Sequence, residues 1–336
     1  MQFAQLKRRE FITLLGGAAA AWPFAARAQQ GERMRRVGVL TGYAESDPEG
    51  QSRVAAFRER LQKLGWAEGR NIRIDARWAI AGDVEATQRY AKELVALQPD
   101  LILSHNTPTT AALLQETRTI PIVFATVSDP VGSGFVASFP RPGGNVTGFT
   151  NIAPTIGGKS LELLKEIAPP VKRIAFLFNP VTAPYAEVFL NHFRAAAASF
   201  AVEAIAAPVR DASELESVII AQARALNGGL IAMTDSFLTV HRVEMTALAA
   251  RYRIPAVYPF RYFPEVGGLL SYGSDQIDNI HRAAIYADRI LKGTKPSELP
   301  VQAPVKFELV INMKSAKALG LEVPPTLLVR ADEVIE

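Results

Sequence analysis

The residues best suited to chemistry in this 336-residue chain are hydroxyl, amide and carboxylate groups that follow short apolar segments. The segment Asn106–Thr110 follows Leu101–Ser104, and Asp235 follows closely on Gly229–Met233. Free N–H groups at a helix start attract anions, so the first segment could hold a ligand carboxylate. A buried carboxylate could hold an ammonium group. Taken singly, both features are also explained by helix capping alone, with Thr107 as N-cap of the first helix.

The same reasoning gives a wider set of candidates. Ligands of open α/β sheets bind outside the carboxyl ends of the strands, and aromatic side chains near those ends would form a partly apolar pocket. Each polar candidate taken alone also fits a helix cap or turn, and each aromatic one fits core packing. The predicted ligand-binding residues are Tyr43, Asn106, Thr107, Thr109, Ser128, Asp129, Asn151, Asn179, Tyr185, Asp235, Tyr258 and Tyr272.

No catalytic or metal-binding pattern accompanies these candidates. The chain has no P-loop, no G-x-G-x-x-G after its first predicted strand and no G-x-S-x-G. Its four histidines lack metal-ligand spacing, although His105 at a strand end could contact a ligand. The absence of cysteine excludes disulfides, thiol catalysis and a lipid anchor on an N-terminal cysteine. We therefore expect no enzyme activity, no cofactor and no metal.

Alternating strand and helix patterns must position the candidates. The alternation predicts an α/β fold with parallel sheets and right-handed crossovers. The predicted strands are Arg36–Leu40, Asn71–Trp78, Leu101–Ser104, Ile122–Ala125, Arg173–Phe178, Val202–Ala206, Gly229–Met233, Ala256–Tyr258 and Leu269–Tyr272. The predicted helices include Gln51–Leu64, Val84–Leu97, Gly158–Ile167, Ala186–Phe200, Ser213–Ala225 and Val240–Tyr252.

These elements fall into two sets, separated by breaks rich in proline and glycine. The breaks lie near 140–155, 272–275 and 297–305, and three passes of the chain would make each lobe discontinuous. We predict one lobe from residues 34–148 plus 275–303. The other is predicted from residues 149–274 plus 304–336.

The N-terminus has the pattern of a secretory signal over residues 1–28. A basic stretch, Lys7-Arg8-Arg9, precedes the apolar run 11–21 and the A-x-A-like site Ala26-Arg27-Ala28, which predicts cleavage after Ala28. The run is too short for a permanent membrane span. The paired arginines favour the twin-arginine route over the general secretory route.

Net charge argues against a nucleic-acid partner. The chain carries +4, of which Lys7, Arg8, Arg9 and Arg27 against Glu10 account for +3 in the signal alone. The remaining body is nearly neutral, unlike a surface that follows phosphates.

Several long segments resemble the family of ABC-transporter substrate-binding proteins that includes the tryptophan-binding type. They are VGVLTGYAESDPEGQSRVAAFRERLQKLGWAEGRNIRID (37–75), IPIVFATVSDPVGSGFVASFPRPGGNVTGFTN (120–151), LLKEIAPPVKRIAFLFNP (163–180) and KFELVINMKSAKALGLEVPPTLLVRADEVIE (306–336). The resemblance implies a type I periplasmic binding fold with two Rossmann-like lobes, three hinge crossovers and a ligand between the lobes. By position it also implies that Thr107, Thr109 and Ser128 bind a carboxylate and Asp235 an amine.

The sequence thus predicts a periplasmic receptor that delivers a small ligand to an inner-membrane ABC permease and its ATPase. An amino acid or a related carboxylate is the expected ligand. For an acid without an amine, Asp235 would be a cap only, and Arg261 would be the better candidate for a second anionic group. The alternative is a periplasmic sensing module for a membrane signalling partner, because this fold is reused in receptors. An enzyme on a doubly wound fold is a third reading.

Overall fold

The computed structural model describes residues 33–153 and 155–336. The predicted export signal, its twin-arginine motif and the cleavage site after Ala28 lie outside the described residues. Within these ranges the chain forms two β-sheets, each flanked by helices. Below, the first and second lobes are the parts of the chain that carry the first and second sheets.

The first sheet is parallel throughout, in the order β2-β1-β3-β4-β5. Its strands are β1 (Arg35–Thr41), β2 (Ile72–Trp78), β3 (Leu101–Asn106), β4 (Ile122–Val127) and β5 (Val146–Thr150). The helices between them are α1 (Pro48–Lys63), α2 (Val84–Ala96) and α3 (Thr107–Glu116). Asp47 caps α1 through its side chain, as its place before Pro48 predicts.

The second sheet has the order β12-β11-β10-β9-β8-β6-β7 and is parallel except where β10 meets β11. Its strands are β6 (Arg173–Phe178), β7 (Glu203–Pro208), β8 (Gly228–Ala232), β9 (Ala256–Tyr258), β10 (Leu270–Ser274), β11 (Phe307–Asn312) and β12 (Glu333–Ile335). The helices that precede β10 are α4 (Ile156–Ile167), α5 (Ala186–Ser199), α6 (Ala212–Arg224), α7 (Ser236–Val240), α8 (Arg242–Arg251) and α9 (Tyr262–Glu265).

The chain passes between the lobes three times. It leaves the first sheet after Thr150 and returns after Ser274 to form α10 (Gln276–Leu291), which packs with α1 on the first sheet. A 3-10 turn, Pro296–Glu298, precedes the last pass. The chain then forms β11, α11 (Met313–Leu319), α12 (Pro325–Arg330) and β12 in the second lobe. Strand β5 extends two residues past the predicted boundary at 148, and the exact lobe limits stay a prediction.

The strands are apolar and buried, and helices cover both faces of each sheet. Every residue of the inner strand β4 and of the edge strand β5 is buried, as is usual for parallel strands that are covered by helices on both faces. The apolar faces of α1 and α10 cover one side of the first sheet, and α2 and α3 cover the other. The second sheet is covered by α4 and α5 on one face and by α6 and α8 on the other. Among the described residues, no helix is long and apolar enough to cross a membrane.

Candidate ligand-binding site

A small cavity, with a volume of about 20 Å³, lies between the closely apposed lobes at the carboxyl ends of the strands. Both lobes contribute side chains, so the cavity exists only while the lobes are close together. The lining residues are Gly42, Tyr43, His105, Asn106, Thr107, Thr126, Asn151, Tyr185, Thr234, Asp235, Ser236, Thr239, Phe260, Tyr262 and Gln276. They include one carboxylate and no lysine or arginine.

The start of α3 forms the polar wall of the first lobe. Asn106, rather than the predicted Thr107, is the N-cap: its Oδ1 accepts a hydrogen bond from the Thr109 backbone N–H at 3.0 Å. Asn106 has extended backbone angles, whereas Thr107 already belongs to the helix, which explains the shift of one residue. The Thr109 hydroxyl accepts a hydrogen bond from the Asn106 N–H in this capping box, and its oxygen lies 2.9 Å from the hydroxyl oxygen of Ser104. Thr107 is therefore the hydroxyl of this turn that reaches the cavity.

Asn151 adds a second donor from the crossover between the lobes. The Ser128 hydroxyl donates to Asn151 Oδ1 at 3.1 Å, and both side chains are buried. With Oδ1 engaged, the amide nitrogen of Asn151 is left to donate towards a ligand. Ser128 does not line the cavity and instead orients Asn151.

Asp235 is the one carboxylate among the described residues that line the cavity, and it also holds the surrounding loops. It is the N-cap of α7, where it accepts from the Phe237 N–H at 2.7 Å. It also accepts hydrogen bonds from the Asn179 N–H and the Thr182 hydroxyl. Burial raises the pKa of Asp235 to about 6, although these hydrogen bonds act to lower it. The carboxylate is therefore mostly ionised at neutral pH.

Aromatic rings form the remaining walls. Tyr43 and Tyr185 come from the predicted set, and Phe260 and Tyr262 join them from the loop after β9. The Tyr185 hydroxyl donates to the Thr234 carbonyl at 2.8 Å, which fixes its ring beside Asp235. Burial raises the pKa of Tyr185 and of Tyr262, so both remain neutral phenols. Such walls suit a flat, apolar ligand group.

His105 lines the cavity beside Tyr43, with ring centroids 4.8 Å apart. Burial, together with the charge of Arg53, lowers the pKa of His105 well below its usual range. The imidazole is therefore neutral, and its buried Nδ1 has no hydrogen-bond partner among the residues that the structure describes. No group of three or more potential metal ligands occurs within the described parts of the chain.

Half of the predicted ligand-binding residues line this cavity, namely Tyr43, Asn106, Thr107, Asn151, Tyr185 and Asp235. The other half lie elsewhere. Thr109 and Ser128 lie behind the lining, and Asp129 accepts from the Gly132 N–H at 2.8 Å in a turn. Asn179 caps the turn at Val181 and donates its backbone N–H to Asp235.

The two remaining tyrosines pack away from the cavity. Tyr258 is buried in the core of the second lobe and stacks on Phe263 at 4.9 Å. Tyr272 stacks on Phe307 at 5.8 Å across neighbouring strands. Arg261 forms ion pairs with Glu265, Glu308 and Glu333 in the same lobe, so it is a structural cation and not part of the cavity lining.

Sequence reasoning missed a further group of lining residues. They are Gly42, Thr126, Thr234, Ser236, Thr239, Phe260, Tyr262 and Gln276. Gly42 directly follows β1, and Thr234 and Ser236 flank Asp235, so the rule of strand ends could have found these three. Phe260 and Tyr262 also follow a strand, β9, so the same rule favours them, although they were not in the predicted set. Gln276 begins α10, and its place in the lining depends on the return of that helix to the first lobe.

A parallel sheet and a mostly parallel sheet, with a cavity at their carboxyl edges and three crossings between them, define a type I periplasmic binding fold. The chain belongs to the ABC transporter substrate binding protein family, whose model matches residues 45–335. A curated relative, the tyrosine-binding protein of Clostridioides difficile, is 27% identical over 266 residues, which cover 79% of this chain and 76% of the relative.

Two solved structures extend the comparison. A domain from Streptococcus pneumoniae in complex with L-Trp has a TM-score of 0.83 and 26% identity, covering 90% of this chain and 100% of that one. The ligand-free, open structure of a substrate-binding protein with adhesive properties from Clostridium difficile has a TM-score of 0.67 at 26% identity, covering 90% and 99%. The family and these neighbours are substrate-binding proteins.

Proposed function

We propose that this protein binds an amino acid with an aromatic side chain and delivers it to an ABC importer. The observation that carries the proposal is the buried carboxylate of Asp235 facing, across one cavity, neutral donors at the start of α3. A zwitterionic amino acid matches this arrangement, since its ammonium group would meet the carboxylate and its own carboxylate would meet the hydrogen-bond donors.

In this proposal the first lobe takes the ligand carboxylate. The Thr107 hydroxyl, the Thr107 backbone N–H and the Asn151 amide are the donors, because Pro108 has no N–H and the Thr109 N–H is bonded to Asn106 Oδ1. Asp235 takes the ammonium group. The cavity is smaller than an aromatic side chain, so the lobes must part to admit the ligand, and the rings of Tyr43, Tyr185, Phe260 and Tyr262 then line its side chain. The relatives that bind tyrosine and tryptophan support an aromatic ligand.

The closed arrangement of the lobes supports delivery by hinge motion. Asn106 Nδ2 donates to Ser236 Oγ across the cleft at 2.8 Å, and the fold resembles the L-Trp complex more than the open relative. A ligand that contacts both lobes shifts the population towards this closed form, which a permease can distinguish from the open one. Export to the periplasm, by the twin-arginine route with cleavage after Ala28, belongs to the same proposal.

A thermal-shift screen of residues 29–336 tests the ligand class. L-Tryptophan, L-tyrosine and L-phenylalanine are the candidates, and L-leucine, L-lysine and a hexose are the controls. A ligand at a hundred times its Kd stabilises the folded protein by about 2.7 kcal/mol. We expect this shift with at least one aromatic amino acid. A shift with the hexose alone, or with none of the compounds, would overturn the proposed ligand.

Gly42 offers a test of the cavity itself. A Cβ at this position would lie 2.3 Å from Asn106 Nδ2, so Gly42→Ala must displace Asn106 and break its bond to Ser236. We expect at least a tenfold loss of affinity for L-tryptophan and a loss of about 1–3 kcal/mol in unfolding free energy. Calorimetric titration and thermal melting measure the two effects.

Gly158→Ala is the matched control. Its Cβ would meet only Ala196 Cβ at 3.4 Å, an ordinary contact on helix α4 away from the cavity. It should leave the affinity unchanged. If Gly42→Ala and the unmodified protein bind L-tryptophan with equal affinity, Gly42 and Asn106 do not form part of the ligand site.

A further inference from the structure

A group of charged side chains joins the lobes beside the cavity without lining it. Asp47 precedes α1 in the first lobe, and Arg242 begins α8 in the second. The two guanidinium nitrogens of Arg242 each lie 3.0 Å from one oxygen of Asp47, and the two side chains are partly buried, with 10% and 12% of their surfaces exposed. This two-bond geometry is the strong form of an arginine–carboxylate pair.

Arg53 makes a second link between the lobes. It is 4% exposed, and its guanidinium group lies 4.8 Å from the ring centroid of Tyr43 and 5.5 Å from that of Tyr262. Arg242 lies 5.8 Å from the Tyr262 ring. Tyr262, a cavity wall of the second lobe, is therefore contacted by guanidinium groups from both lobes, at distances typical of cation–π attraction.

We propose that Asp47, Arg53 and Arg242 form an inter-lobe clasp that positions Tyr262 over the ligand and slows ligand release. Asp47 already caps α1 through the Glu49 N–H at 2.9 Å, and Arg242 already donates to the Thr239 carbonyl at 3.0 Å. Each residue thus has a partner inside its own lobe. The Asp47–Arg242 and Arg53–Tyr262 contacts are the parts of the group that require closure.

The clasp acts on the closed state alone. When the lobes separate, both charges of the Asp47–Arg242 pair return to water and the attraction is lost. A partly buried pair is screened less than a surface pair but still weakens as salt rises. Breaking a buried, hydrogen-bonded charge pair mainly changes the dissociation rate. The clasp should therefore appear in the release rate of the ligand and in the closed fraction of the protein without ligand.

A double-mutant cycle on Asp47→Asn and Arg242→Gln tests the ion pair, with L-tryptophan as the probe. Asparagine keeps the capping oxygen of Asp47, so α1 is preserved. We expect each single substitution to raise the dissociation rate constant about tenfold and to leave the association rate constant within about threefold. The double variant should release the ligand no faster than the single ones. Additive effects of the two substitutions, or unchanged release rates, would contradict the clasp.

Glu93→Gln is the matched control, because it breaks the Arg77–Glu93 pair, which lies within the first lobe. At each salt concentration, Glu93→Gln should release the ligand at the same rate as the unmodified protein. In the unmodified protein, release should accelerate between 50 and 500 mM NaCl as screening increases, and Asp47→Asn should remove most of that dependence.

Measurements on the ligand-free protein test the clasp independently of the proposed function. The clasp rests on that function only for the choice of L-tryptophan as the probe. The chain lacks cysteine, so Glu85→Cys in the first lobe and Glu187→Cys in the second introduce unique labelling sites at exposed positions. Single-molecule energy transfer between them should show a smaller closed fraction with Asp47→Asn. An unchanged closed fraction overturns the clasp whatever the ligand. If Asp47→Asn reduces the closed fraction but the unmodified protein does not bind L-tryptophan, the proposed ligand is overturned and the clasp is supported.

Discussion

Asp235→Ala is expected to abolish detectable binding of L-tryptophan, with a loss of at least a hundredfold in affinity. The substitution removes the carboxylate that Asp235 contributes to the cavity lining, so the ligand ammonium group would be buried without that counter-charge. Removing one partner of a buried charge pair commonly costs 3–5 kcal/mol, roughly a hundredfold or more. Calorimetric titration at pH 7.5 measures the loss.

The same substitution should also weaken the fold. Asp235 accepts hydrogen bonds from Asn179, Thr182 and Phe237, and these donors would lose their acceptor. We expect the unfolding free energy to fall by about 2–3 kcal/mol. Binding must therefore be measured at a temperature where thermal melting shows that the variant is folded.

Asp211→Ala separates loss of a cap from loss of the ligand contact. Asp211 caps α6 in the same lobe through the Glu214 N–H at 2.8 Å, on the exposed surface. This control should lose about 1 kcal/mol of stability and keep its affinity. Retained tryptophan affinity in folded Asp235→Ala would remove Asp235 from the ligand site and leave it as a cap.

A pair of ligands should show opposite pH dependence, and this is the second large effect. Asp235 has a pKa of about 6 in the free protein, raised by burial. An ammonium group favours the ionised carboxylate, so protons compete with L-tryptophan and its affinity should fall by up to tenfold per pH unit below pH 6. Indole-3-propionate lacks the amine and places an anion in the same cavity. Its affinity should rise as pH falls, because protonation removes the repulsive charge of Asp235.

Other titratable groups of the cavity should not disturb this comparison. Burial lowers the pKa of His105 and raises that of Tyr43, Tyr185 and Tyr262, so it favours the uncharged form of each of these groups. Asp235→Asn should remove both slopes between pH 5.5 and 7.5. Calorimetric titration at half-unit steps measures them. Slopes of the same sign for both ligands would show that Asp235 does not meet the ligand amine.

Sequence alone predicted several of the polar residues that line the cavity, because their geometry is local. Asn106–Thr110 and Asp235 follow the strands that precede them, and the carboxyl ends of parallel strands meet at one edge of a sheet. The α/β alternation and the long segments shared with substrate-binding proteins likewise depend on residues that are near each other in the chain. The cap shifted from Thr107 to Asn106 because one residue decides where the helical backbone angles begin, and both side chains are capable of capping.

The tertiary structure decided which aromatic and charged groups reach the cavity. Tyr258 and Tyr262 are four residues apart, yet Tyr258 packs into the core and Tyr262 lines the cavity, because β9 ends at Tyr258 and the loop turns the chain towards the first lobe. Arg261 is neutralised by Glu308 and Glu333, partners that only the pairing of β10, β11 and β12 brings near it. The Asp47–Arg242 pair spans 195 residues and two lobes. The spacing of residues in the sequence predicts the geometry of segments that are close in the chain. Contacts between distant segments depend on how the two lobes close on each other.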